Sequence, residues 1–264
     1  MSLWEALFLG LFQGITEFLP ISSSGHLALA EHFFGLQADR LLAFDVVLHG
    51  GTLLSLLVLF WRELLEIVHL RQKTSERVNN VFPKNMFLLL FLASIPAGML
   101  GVLAKDFFES MRSPAIIGGG FLFSGICFLV AESFPHQKKQ NLSFSAGLLA
   151  GIFQAFALFS GVSRSGMTTV GAMFTGTERV TATRFSFLLG VPILSGALLL
   201  QVFSLFSEKT DLPFSWLAVS VGFCTSALVG YFVAKYLLTF FQKYSLRPFA
   251  YYLLISGSLL VFLK

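Results

Sequence analysis

The stretch Gln13-Gly14-Ile15-Thr16-Glu17-Phe18-Leu19-Pro20-Ile21-Ser22-Ser23-Ser24-Gly25-His26 breaks an apolar segment that otherwise covers residues 3–36, and its reading decides the fold. A second apolar segment, 143–177, is broken at its centre by Phe159-Ser160-Gly161-Val162-Ser163-Arg164-Ser165-Gly166. Non-helical backbone at membrane depth is tolerated only where protein or a wet cavity satisfies its polar groups. Both segments are therefore expected to be re-entrant helix–loop–helix hairpins whose broken tips face the protein interior.

The rest of the chain supports a lipid-embedded reading. Of its 264 residues 55% are hydrophobic and only 12% charged, with a mean hydropathy of +0.79, whereas soluble domains carry about 25% charged residues. Apolar length measured against charged or turn-rich breaks gives six expected full spans, at 43–63, 86–104, 114–132, 185–206, 214–235 and 248–263. The fold class expected is an all-α polytopic membrane protein forming one membrane domain over 1–264. The N-terminus lacks a basic region and a small-residue cleavage site, so it does not read as a removable signal peptide. Cys127 and Cys224 each sit inside an apolar run, which leaves no disulfide framework and no thiolate metal site.

The net charge of +4 does not point to nucleic acid, because the basic residues are scattered among short loops. If both hairpins return to the side they entered, most of these residues share one face, among them Arg62, Arg71, Lys84, Lys138, Arg179, Arg184 and Arg247. Arg40, Lys105, Arg112, Lys209 and Lys264 take the other face, and the positive-inside rule then makes the first face cytoplasmic and puts both termini outside. The hydrophilic segment from Arg71 to Lys84 reads as a solvated connector. Trp61, Tyr251 and the other aromatic residues near span ends read as interfacial anchors. The 32 phenylalanines read as lipid-facing or packing residues and imply no organic cofactor.

The two broken segments are related. Shifted by 141 residues, Gly10–Gly35 matches Gly151–Gly176 at nine of 26 positions, including Gln13, Ser22, Ser24 and Gly25. About two or three identities would arise by chance in so biased a composition, so duplication is the better account. Repeat 1 covers 1–135, with its hairpin at 3–36 and three spans. Repeat 2 covers 143–264, with its hairpin at 143–177 and three spans. An odd number of crossings inverts the second copy relative to the first. In inverted repeats, half-helix N-termini meet near the midplane and offer N–H groups and a positive dipole end to anions.

The chemistry lies where the copies differ: Glu17 stands opposite Leu158, Ser23 opposite Arg164 and His26 opposite Met167. A central arginine costs about 2.5–3.5 kcal/mol to insert, so Arg164 needs compensation. Two readings stay open for it, an ion pair with Glu17 that locks the hairpins together and a planar fork that holds phosphate oxygens. The serines beside it and Gly166 favour phosphate, with Ser22–Gly25 and Ser163–Gly166 resembling anion nests. Gln13 and Glu17 share a helix face at i,i+4. A carboxylate beside a diphosphate must be protonated, bound to a divalent cation, or turned toward His26 or Arg164, and all three stay open. His26 lies three residues beyond Ser23, close enough for nucleophile and base to meet. Asp45 and His49, another i,i+4 pair, are placed behind these groups.

The long first motif together with Gly161-Val162-Ser163-Arg164-Ser165-Gly166-Met167-Thr168 resembles the two signatures of the undecaprenyl-diphosphatase family, the bacitracin-resistance proteins. The similarity extends to Phe44-Asp45-Val46-Val47 and Phe185-Ser186-Phe187-Leu188-Leu189. The resemblance implies a multi-pass enzyme of the bacterial plasma membrane, reached from the periplasmic side, that removes the terminal phosphate of undecaprenyl diphosphate. It implies catalytic roles for Glu17, Ser23, His26 and Arg164. Substrate contacts fall to Gln13, Ser22, Ser24, Gly25, Ser163, Ser165, Gly166 and Thr168. Gln13 is the non-acidic variant of the family's E/Q-x-x-x-E pair, which weakens a two-carboxylate metal site. A divalent cation, Mg2+ or Ca2+, remains an open expectation with Glu17 as its ligand. Ser160 stands before Gly161 where the family often has proline. The partners expected are a polyprenyl diphosphate and membrane lipids, with homo-oligomerisation open. Either Ser23 or His26 is the nucleophile. The competing reading is a transporter or flippase of a phosphorylated lipid, since inverted repeats with broken helices serve that function too.

Overall fold

The computed structural model describes residues 1–33, 38–68, 81–111, 113–134, 139–207 and 214–262. Among the described residues the structure is helical, with no strand beyond one isolated bridge between Lys139 and Thr177. The helices are α1 (Leu3–Thr16), α2 (Ser23–Phe33), α3 (Ala38–Leu59), α4 (Trp61–Ile67), α5 (Met86–Leu103) and α6 (Lys105–Ser110). They continue with α7 (Pro114–Ser133), α8 (Phe144–Phe156), α9 (Arg164–Met173), α10 (Arg179–Ser207), α11 (Trp216–Phe240) and α12 (Arg247–Phe262).

Four described helices are long and apolar enough to cross a membrane: α5, α7, α10 over Arg179–Phe203, and α11. Large apolar side chains cover the outside of the bundle, among them Phe87, Leu103, Leu199 and Phe232, as contact with lipid requires. The chain is an all-α polytopic membrane protein.

Two of the expected spans differ in detail. The span at 43–63 belongs to a helix that starts earlier, at Ala38, and breaks at Phe60, where α4 leaves at 76° to the Phe44–Leu59 helix. The physical reason is polar: Arg62 and Glu63 follow the break, Arg62 lies over the Trp61 ring, and Glu63 pairs with Arg184. The span at 248–263 is α12, whose 16 residues rise about 24 Å at 1.5 Å per residue, short of the roughly 30 Å hydrocarbon core. The broken segments each hold two short helices, α1 with α2 and α8 with α9, none longer than 14 residues. Most of the Arg71–Lys84 connector, and Arg112, Lys138, Lys209 and Lys264, lie outside the described residues.

Packing joins distant parts of the chain. Helix α1 lies along α11 and α8 lies along α5, while α3 packs on both α10 and α11, and α7 pairs with α12. At one end of the bundle Arg179 grips both oxygens of Glu132 at 2.8 and 2.7 Å and donates to the Tyr244 carbonyl. Glu132 also accepts from the Leu246 N–H at 2.8 Å, which ties α7, α10 and the start of α12 together. Phe18, Phe121, Phe128, Phe185 and Phe187 are fully buried beneath the two broken segments, with Phe18 edge-on to Phe187 at 5.4 Å.

The α7–α12 contact is made possible by Gly118 and Gly257: a Cβ on Gly118 would stand 2.8 Å from the Gly257 carbonyl oxygen, whereas Gly119 faces open space. Overpacking of this kind costs about 1–3 kcal/mol. Gly118→Leu is expected to lower the unfolding temperature in detergent by several degrees, and Gly119→Leu to leave it within error, as read by thermal unfolding of the two variants side by side.

Candidate functional site

The site is built from helix ends. Helix α1 opens with a capping box, Ser2 and Glu5 each bonding to the other's backbone N–H, and closes at Glu17, whose N–H bonds to the Gln13 carbonyl at 2.9 Å. The chain then turns through Phe18–Ile21 to Ser22, the one non-glycine residue with positive φ among those described, at 71°. Ser22 caps α2: its hydroxyl accepts from the Gly25 N–H at 3.4 Å and its carbonyl from the His26 N–H at 3.2 Å. The second segment repeats this cap. Ser163 accepts from the Gly166 N–H at 3.2 Å through its hydroxyl and from the Met167 N–H at 2.8 Å through its carbonyl. Ser22–Ser24 and Ser163–Ser165 hydroxyl pairs both lie at 3.4 Å.

The two loops touch. Ser165 donates to the Leu19 carbonyl at 3.3 Å, and a Cβ on Gly25 would stand 3.0 Å from the Gly161 Cα. Gly161 itself has φ +87° and lies flat on the Ile117 backbone of α7, so both its conformation and its neighbour require glycine. Helix α7 is the platform under both loops: Phe121 lies under Gly25, Phe128 under Gly166, and the Ser124 hydroxyl accepts the Ser163 N–H at 3.2 Å.

Where the loops meet, the charges meet. Arg164 Nη2 donates to Glu17 Oε1 at 2.6 Å. Glu17 Oε2 accepts from the Ser23 hydroxyl at 2.6 Å and from Gln13 Nε2 at 3.0 Å, with His49 Nε2 at 3.8 Å. Glu17 is 6% exposed, so the Arg164 charge is matched inside the protein and not by water. Ser23 is half-buried and Ser24 exposed. Two buried atoms of this cluster, Gln13 Oε1 and Arg164 Nη1, make no hydrogen bond to the described residues.

Of the residues marked in the sequence, Gln13, Glu17, Ser23, Arg164 and His49 form one hydrogen-bonded or ion-paired cluster. His26 stands apart from Ser23 in its bonding: Nδ1 bonds to the Ser22 carbonyl at 2.9 Å and Nε2 to the Tyr252 hydroxyl at 2.6 Å. Asp45 enters the His49 environment through its backbone, whose carbonyl takes His49 Nδ1–H at 2.8 Å. Thr168 is fully buried, and its hydroxyl bonds to the Arg164 carbonyl at 2.8 Å and to the Ser186 hydroxyl, so it ties α9 to α10.

Three contributors went unmarked. Gly190 on α10 leaves the space in which the Arg164 guanidinium lies, because a Cβ there would overlap Nη1. It stands 141 residues beyond His49, so the register of the repeat was a signal for it. Ser124 and Tyr252 carry no local signal, since nothing within α7 or α12 announces the loop each touches.

With an acid, a hydroxyl and a guanidinium joined where two serine-capped helices meet, the chain falls in the class of polytopic helical membrane proteins that carry a polar site within the bundle. The chain belongs to the family described as bacitracin resistance protein BacA, which matches residues 6–259. It is 42% identical to an undecaprenyl-diphosphatase of Rubrobacter xylanophilus over 259 residues, 96% of this chain and 94% of that protein. It is 34% identical to an undecaprenyl-diphosphatase of Halothermothrix orenii, over 100% of this chain and 98% of that one. Undecaprenyl-diphosphatase 3 of Bacillus cereus is 38% identical, again over 100% and 98%.

Removing one partner of a buried ion pair leaves the other charge uncompensated, at a cost of about 3–5 kcal/mol. Glu17→Gln is expected to destabilise the protein by that order in equilibrium unfolding in mixed micelles. The double variant Glu17→Gln, Arg164→Met is expected to recover most of the loss.

Proposed function

We propose that the chain is an integral-membrane phosphatase that hydrolyses undecaprenyl diphosphate to undecaprenyl phosphate and inorganic phosphate. It thereby recycles the lipid carrier of cell-wall polymers and confers bacitracin resistance. The relatives' shared name and full-length similarity support the reaction. The observation that carries the site assignment is the Ser23–Glu17–Arg164 chain of contacts, a hydroxyl bonded to a carboxylate that is paired with a guanidinium.

In this reading Ser23 is the nucleophile and Glu17 its base. The Ser23 proton already points at Glu17 Oε2, while both nitrogens of His26 are engaged elsewhere. Ser23 Oγ attacks the terminal phosphorus as the bond from that phosphorus to the bridging oxygen breaks. Glu17 takes the serine proton and passes it to the departing lipid phosphate. Water then attacks the phosphoserine, one of its protons returning through Glu17 to Ser23 Oγ, and inorganic phosphate leaves. Arg164 stabilises the charge on the transferring oxygens, the term that dominates phosphoryl transfer. Its bond to Glu17, which weakens as Glu17 becomes protonated, suits that task.

A resident metal centre does not fit the residues. No group of three His, Cys, Asp or Glu side chains gathers among the described residues, and both Glu17 oxygens are engaged. A Mg2+ or Ca2+ requirement is assigned to the diphosphate itself, and no step above is routed through the ion.

The packing of α1 on α11 and of α8 on α5 supports the reading of two inverted repeats, since a two-fold relation exchanges these pairs and maps α3 with α10 and α7 with α12 onto themselves. The four short helices are then the arms of two re-entrant hairpins. In this reading Arg179 and Arg184 face the cytoplasm by the positive-inside rule, and the substrate reaches the site from the periplasmic side of the plasma membrane.

The purified protein is expected to release phosphate from a polyprenyl diphosphate. Ser23→Ala should reduce kcat by roughly a thousandfold or more, and Arg164→Lys, which keeps the charge but loses the fork, by about a hundredfold. Absence of release across a range of cations, with lipid binding still dependent on Arg164, would instead favour transport.

A further inference from the structure

The mechanism above leaves His26 without a chemical step, although the ring is 8% exposed and bonded through both nitrogens. Its Nδ1 faces the Ser22 carbonyl, which can only accept, so Nδ1 carries a hydrogen. In the neutral ring Nε2 is then an acceptor, and the Tyr252 hydroxyl at 2.6 Å is its donor. The ring is also held by stacking, against Phe121 at 4.8 Å and 24° and against Tyr252 at 5.6 Å and 16°.

The residue that His26 holds in turn is the strained one. Ser22 has φ 71°, a conformation that is unfavourable for a serine and persists only when its surroundings enforce it. The next residue is Ser23, whose hydroxyl points at Glu17. Tyr252 therefore ends a chain that runs from α12 through His26 to the backbone from which Ser23 projects, and it joins parts of the protein 226 residues apart.

We propose that Tyr252 is a positioning residue: by donating to His26 Nε2 it completes the hold on the Nδ1–H imidazole, whose bond to the Ser22 carbonyl maintains the left-handed Ser22 conformation that presents Ser23 to Glu17. The consequence for catalysis rests on Ser23 as the nucleophile; the tautomer does not. A Tyr252→Phe substitution keeps the stacked ring and removes only the hydroxyl.

The test uses the full-length protein in detergent, with histidine labelled at both ring nitrogens, and His26 signals assigned by their loss in His26→Ala. In the parent protein His26 should show one protonated nitrogen, Nδ1, and one unprotonated, Nε2. In Tyr252→Phe the Nε2 signal should move to that of an acceptor without a donor, and kcat should fall by roughly ten- to a hundredfold, the range seen when an orienting partner of a functional imidazole is removed at metal sites. KM should change little. In the His26→Ala background, Tyr252→Phe should cost nothing further, because the two act as one unit. An unchanged His26 spectrum in Tyr252→Phe, or full additivity of the two substitutions, overturns the proposal. A changed spectrum with unchanged kcat overturns the catalytic link and places the fault with the Ser23 assignment.

Discussion

A guanidinium inside a membrane protein has to be matched by a negative charge, and the 2.6 Å pair of Arg164 with Glu17 is that match. Neither residue could occupy its position alone. Arg164 comes from the first turn of α9 and Glu17 from the end of α1, so satisfying the charge brings two separate loops together. Much of the surrounding structure serves this junction. Serine caps begin α2 and α9 without consuming the charged groups, Gly161 allows the second loop to lie on α7, and Gly190 leaves room for the guanidinium.

The same junction is suited to phosphoryl transfer because its stability and its reactivity use one hydrogen-bond network. Glu17 joins Ser23 and Gln13 through one oxygen and Arg164 through the other, so in the proposed mechanism a proton arriving from Ser23 loosens the hold on Arg164 as phosphate charge needs it. At the 141-residue offset Leu158 and Met167 stand where the first loop has Glu17 and His26, so the proposed reacting groups belong to the first loop and the proposed clamp, Arg164, to the second. In the proposed duplication the asymmetry of the site follows from divergence between two related loops.

Much of this was legible in the sequence, for reasons that can be named. An apolar segment broken by serine and glycine is costly in a bilayer unless the break has a use, so the two loops stood out. Intramembrane charge is scarce enough that the sequence offers Glu17 as a partner for Arg164, beside the reading of Arg164 as a phosphate fork. The repeat register placed Phe44 opposite Phe185, and both are fully buried. What was hidden depended on packing between distant helices. Ser124 looks like an ordinary residue of an apolar helix, and Tyr252, exposed like its neighbour Tyr251, fits the role of interfacial anchor. The break at Phe60 was hidden as well, because mean apolarity carries no record of where Arg62 and Glu63 turn the chain aside. Thr168 carries the motif's spacing, yet its hydroxyl is engaged within the helix pair it joins.

The central claim is that one substrate is held by both loops at once. The most direct measurement is an experimental structure of the protein bound to a non-hydrolysable polyprenyl diphosphate analogue. The account requires the terminal phosphate to lie between Ser23 Oγ and the Arg164 guanidinium, touching the first and the second loop together. An analogue whose phosphates rest on one loop alone, or outside the junction of the two, would contradict it.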